Sequence, residues 1–182
     1  MAGMVAEAAA LAAAAGVPVE TVTRYGAEDA DVTRALYEAS RAGVHVDLIV
    51  RDTCRFLPGI KGLSESARVI SIVGRFLEHS RILRFGSASR GREHWIGSAD
   101  LMKRNLESRV EVVAPVEDVK LRQELRLILD VQLSSKKHVW IMQPDGSYEP
   151  KLDAAEAGAE KSSQDTFIDL AQKRKTAAAK HR

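Results

Sequence analysis

A helix that becomes a strand at a single glycine sets the frame for this chain. Across residues 28–42, Val32, Ala35, Leu36 and Ala39 recur at helical spacing, Asp29 or Asp31 stands where a cap belongs, and Gly43 ends the run. Val44-His-Val-Asp-Leu-Ile-Val50 follows at once. Its alternation puts Val44, Val46, Leu48 and Val50 on one face and His45, Asp47, Ile49 and Arg51 on the other. Helix then strand within a few residues predicts an α/β domain. Arg51 then falls at the carboxyl end of its strand, where open α/β sheets gather ligands.

The rest of the chain extends this frame. Residues 69–73 read as a buried strand and 79–85 as the next, with the short Trp95-Ile-Gly strand pairing back onto it. Residues 98–105 read as a turn into a helical start, 109–113 as a strand ended by Pro115, and 138–142 as a last strand closed by the Pro144-Asp-Gly turn. The clearest helix is 117–132. Leu121, Leu125, Ile128 and Leu129 form its stripe, and Glu117-Asp118 favour its amino end.

One stretch carries chemistry. Alternation over 79–85 places His79, Arg81 and Leu83 on one face and Ser80, Ile82 and Arg84 on the other. An imidazole and a guanidinium two apart on a strand aim at one point. A phosphoryl group uses that pair: a titratable group to exchange a proton and a fixed cation to hold its oxygens. The plainer reading is a strand-end histidine with arginines reaching solvent.

At 182 residues, with a net charge of +2, the chain holds one ordinary domain, and any polyanion site must come from local clustering. This balance gives no sign of a nucleic-acid binder. Cys54 is the single cysteine, which excludes an intrachain disulfide and fits a reducing cytoplasm. Residues 1–16 are alanine-rich but carry Glu7 and no Lys or Arg. They read as an alanine helix stopped by Gly16-Val-Pro18, neither a signal peptide nor a membrane span. After Pro150 the composition turns polar, with basic clusters at Lys173-Arg-Lys175 and Lys180-His-Arg182, predicting a poorly ordered tail.

Gly74-Arg-Phe-Leu-Glu-His-Ser-Arg81 resembles the stretch opening the second histidine motif of bacterial polyphosphate kinases. Further segments agree in order: Ala35-Leu-Tyr-Glu-Ala-Ser-Arg-Ala-Gly43, Asp47-Leu-Ile-Val-Arg51, Ser98-Ala-Asp-Leu-Met-Lys-Arg-Asn-Leu106 with Arg109-Val-Glu111, and Gln143-Pro-Asp-Gly-Ser-Tyr148. The resemblance covers roughly residues 28–150 and concerns only the carboxyl-terminal domain of that family. It implies a phospholipase-D-like single domain, a mixed β-sheet flanked by helices, between an N-terminal extension (1–27) and the polar tail (151–182). His79-Ser-Arg81 with Gly97-Ser-Ala-Asp100 and Asn105 also looks like a phospholipase D half-site. Arg81 in place of lysine, and Gly86 in place of aspartate, favour the polyphosphate kinases over diesterases.

By that resemblance, the terminal phosphate of ATP moves reversibly onto inorganic polyphosphate through a phosphohistidine. His79 corresponds to the general acid/base, not to the phosphorylated nucleophile. Arg51, His79 and Arg109 match tunnel-lining positions, the first two touching the nucleotide's phosphates, and Arg81 joins them as a phosphate contact. Lys103 and Arg104 are weaker candidates, solvated or paired with Glu107. The phosphorylated histidine and the arginines tied to Mg2+ belong to the family's preceding domain, which these residues do not resemble. His45, His94, His138 and His181 lie outside the motifs and read as strand or tail histidines. The expectation is a domain inactive by itself, completed by a separate chain carrying the first half or acting as a homodimer. Alternatives are a homodimeric phosphodiesterase and a non-catalytic polyphosphate- or nucleotide-binding module. Relatives place glycine where Asp52 stands. Either that loop has re-formed around another contact, with Arg55 compensating, or nucleotide affinity is reduced.

Overall fold

The computed structural model describes residues 19–22, 27–51, 53–87, 91–152, 158 and 160–180. The alanine-rich start, Asp52 and His181 therefore lie outside the described residues. An eight-stranded mixed sheet, in the order β6-β5-β4-β1-β2-β3-β7-β8, forms the frame. Its strands are β1 (Val19–Val22), β2 (Val46–Ile49), β3 (Ala67–Ile72), β4 (Ile82–Ser87), β5 (Gly91–Gly97), β6 (Val113–Pro115), β7 (Val139–Met142) and β8 (Tyr148–Pro150). β1, β2 and β3 run parallel; β1 meets β4 antiparallel. Three further antiparallel pairs, β4 with β5, β5 with β6 and β3 with β7, complete the centre.

The alternation expected for residues 44–50 divides the core as the sheet does. Val44, Val46, Leu48 and Val50 pack with Val32, Ala35, Leu36 and Ala39 of α1 (Ala30–Arg41). Ile49 belongs to the opposite face, with Ile70, Ile72, Ile82 and Leu129 of α3 (Val119–Ser134). Helices thus cover both faces. Asp29 caps α1 by accepting the Asp31 and Val32 N–H groups at 3.1 and 3.0 Å. Asp118 caps α3 through the Leu121 N–H at 2.9 Å.

Five expectations need correction. β1, read as part of an extension, is the strand that joins the two halves of the sheet. β4 starts at Ile82, so His79 and Arg81 precede the strand rather than alternating within it; the described pairing of β4 with β1 runs from Val19↔Phe85 to Val22↔Ile82. The strand expected at 109–113 is shifted to Val113–Pro115, because Val110 and Val112 are solvent-facing and only the last residues meet β5. The tail holds an 18-residue helix, α4 (Ser163–Lys180), whose first residues Ser163 and Gln164 are buried. Leu121, placed on the α3 stripe, is 57% exposed at the first turn.

Candidate functional site

The strand registers bring the chemistry-bearing segments to one end of the sheet. Val22 of β1 lies opposite Ile82, the first residue of β4. Ile82 faces Ile96 near the end of β5, and Gly97 faces Val113, the first residue of β6. β2 and β3 run parallel to β1, so their carboxyl ends share this side. Arg51, the segment 73–81, the loop 98–102, the short helix α2 (Lys103–Ser108) and Arg109 to Val112 therefore lie at one end.

Arg51 is half-buried there on the α3 side. Its Nη1 is buried and has no hydrogen-bond partner among the described residues. It shares a cavity of about 10 Å3 with Ile49, Ile72 and Glu78. Glu78 is held from two helices: Gln164 Nε2 donates to Oε1 at 2.9 Å, and Gln132 Nε2 to Oε2 at 3.4 Å. His79 follows with an exposed side chain.

Arg81 turns back from the solvent. Its Nε and Nη2 donate to the two oxygens of Asp100 at 3.0 and 3.2 Å, and its Nη1 donates to the His79 carbonyl at 2.7 Å. Asp100 is buried, so this fork is a bidentate brace in low dielectric. A neighbouring network centres on Glu111, whose side chain is buried. It accepts the Ser98 hydroxyl, Asn105 Nδ2 at 3.2 Å and Arg109 Nε at 3.2 Å. The Ser98 hydroxyl foremost, then Asn105 and the charges of Arg109 and Arg81, hold its carboxyl below the usual range against the opposing effect of burial. Arg109 itself is largely exposed. The site thus has two parts, Arg51 with Glu78 and the arginine–carboxylate pairs, linked by the four residues from Glu78 to Arg81.

Lys103 reaches Glu107 at 3.8 Å in an exposed pair. Burial pushes the Cys54 thiol up to about 11, which keeps it protonated and poorly nucleophilic near neutral pH. Sequence reasoning placed Glu78 and Asp100 inside the motif segments without giving them a supporting role, and missed Gln132 and Gln164 altogether. Only the polar residues interrupting apolar stripes, Gln132 on α3 above all, signalled them.

Arg51, Arg81 and Arg109 at the carboxyl end of the parallel strands of a mixed sheet define an α/β domain with a basic rim. The chain belongs to the polyphosphate kinase family: the description "Polyphosphate kinase C-terminal domain 2" matches residues 6–164. The polyphosphate kinase of Thermosynechococcus vestitus is 47% identical over 140 residues, 76% of this chain and 19% of that protein. The polyphosphate kinase of Synechocystis sp. is 52% identical over 120 residues, 66% of this chain and 16% of that protein. The crystal structure of polyphosphate kinase from Porphyromonas gingivalis matches with a TM-score of 0.80 at 33% identity, covering 96% of this chain and 27% of that one. The chain therefore spans less than a fifth of the length of these two curated relatives. The family and the mixed, helix-flanked fold agree with the resemblance carried by the sequence.

Among the described residues no three His, Cys, Asp or Glu side chains gather as a metal-ligand group, and no helix is long and apolar enough to cross a membrane.

Proposed function

We propose that this domain forms one wall of a phosphate-transfer site, working in the cytoplasm on ATP and inorganic polyphosphate. The observation that carries the reading is the Arg51 guanidinium: one nitrogen buried and without a hydrogen-bond partner among the described residues, at the sheet end where the His79 segment runs. Such a nitrogen costs on the order of 1–3 kcal/mol unless an acceptor arrives, and a phosphate oxygen is such an acceptor.

In this reading the γ-phosphoryl group leaves ATP as its bond to the bridging oxygen breaks. A histidine outside these residues forms the phosphorus–nitrogen bond, ADP departs, and the phosphoryl group passes to the polyphosphate end. Arg51 neutralises non-bridging oxygens. His79, exposed and carried on a braced backbone, exchanges the proton as general acid/base. Arg109 adds a solvent-facing cation, and Arg81 acts as a brace that fixes the His79 carbonyl. Mg2+ supplies charge neutralisation when bound. The residues described here do not assemble its ligands, so no step is assigned to it.

The 182 residues alone are expected to bind polyphosphate weakly and to form none from ATP. Calorimetric titration at about 50 and 200 mM salt tests this, because phosphate contacts weaken steeply as salt rises. Arg51→Ala should weaken binding about fivefold or more, while His79→Ala leaves it nearly unchanged. Polyphosphate synthesis by the purified chain, or binding indifferent to Arg51→Ala, overturns the reading.

A further inference from the structure

Gln164 lies in the first turn of α4, in the polar segment that looks least informative in the sequence. It is 4% exposed, and its amide hydrogen-bonds to the segment that carries His79. Its Oε1 accepts the Phe76 N–H at 2.8 Å, and its Nε2 donates to the Phe76 carbonyl at 2.8 Å and to Glu78 Oε1 at 2.9 Å. One side-chain amide thus satisfies both backbone groups of Phe76, as a neighbouring strand would. It also turns Glu78 toward the cavity that Arg51 lines.

The approach depends on Gly74. A Cβ there would stand 2.6 Å from Gln164 Oε1 and 2.9 Å from its Cδ, and the Gly74 backbone is not left-handed. The glycine is therefore required by the amide, not by its own dihedral angles. Neither end of the clamp is loose. Gln164 sits on the α4 start, where the Ser163 N–H donates to Ser135 Oγ at 3.1 Å and Ser162 pairs with Asp165. On the other side, Gln132, 1% exposed, takes the second oxygen of Glu78.

We propose that Gln164 is a positioning residue for the phosphate site: through Phe76 and Glu78 it fixes the segment from which His79 projects and the carboxylate beside Arg51. This rests on the reading of Arg51 and His79 as phosphate-site residues. Its function is to set where the imidazole and the carboxylate beside Arg51 stand, the second governing affinity, and not to touch substrate.

The experiment uses the full 182-residue chain with inorganic polyphosphate as the probe. It compares Gln164→Ala and Gln164→Glu with Leu36→Ala, a core change on the opposite face of the sheet. The readouts are the NMR resonances of the His79 ring, polyphosphate affinity and melting temperature. Both Gln164 variants should shift the ring resonances and weaken binding about fivefold. Leu36→Ala should lower the melting temperature and change neither. Should Gln164→Ala not fold, Gln164→Glu, which keeps volume and one acceptor, decides. Gly74→Ala should reproduce the shift, and adding it to Gln164→Ala should bring no further loss. Unchanged His79 resonances and affinity in the Gln164 variants, or equal changes in Leu36→Ala, overturn the proposal. If the wild-type chain fails to bind polyphosphate, the reading of the phosphate site falls, and the ring resonances alone then judge Gln164.

Discussion

Arg81 shows how far a residue's type and its use can diverge. The sequence makes it a phosphate-holding cation next to a histidine, yet its planar fork is held by Asp100 and the His79 carbonyl. Lysine keeps the charge but cannot make the paired contact. Arg81→Lys is therefore expected to lower stability by about 1–2 kcal/mol, read as a lower urea midpoint at unchanged slope. Glu111 gives a second residue-scale expectation. Its folded-state carboxyl is held below the ordinary range, chiefly by the Ser98 hydroxyl. Its contribution is therefore complete above that range and lost as pH falls through the depressed folded value. Melting temperatures from neutral to acid pH should fall for the wild type, and the gap to Glu111→Gln should close toward the acid end. A gap that is constant across that span would refute the assignment.

At the scale of elements, legibility followed periodicity. α1 and β2 were readable because their stripes are continuous and bounded by Asp29 and Gly43. α3 was readable too, within two residues at each end. β1 was not, because Val19-Glu-Thr-Val22 is too short to show a period and follows an alanine-rich run. α4 was missed for another reason. Only its first turn is buried, and the hydrogen bonds that seat it come from side-chain amides and hydroxyls, which look like tail composition. The site was half legible: the arginines and His79 stood out, while the groups that hold them are distant in sequence. Deletion separates the two parts of α4. Removing 171–180, all exposed, should change stability by about 0.5 kcal/mol or less, Arg174 with Glu124 being a surface pair. Removing 163–180 deletes the Gln164 contacts and should cost about 2–4 kcal/mol, measured by the same denaturation.

At the scale of the whole molecule, the site spans two sub-sheets. Arg51 follows β2, in the β2-β3-β7-β8 part, whereas Arg81 leads into β4, in the β4-β5-β6 part. Among the described strands, only β1 is paired to both. A proline within it removes a ladder donor and clashes with its neighbour, so Thr21→Pro should cost about 3 kcal/mol or more. It should broaden thermal unfolding if the two parts then melt separately, which calorimetry would reveal.

That arrangement has a further consequence. Four residues near the start of the chain stitch together the halves that bear the two kinds of side chain, so they act as a ruler for the gap between guanidinium and imidazole. Small changes in how this short stitch is drawn would widen or narrow the gap at the rim and, under the proposed function, tune which phosphates fit.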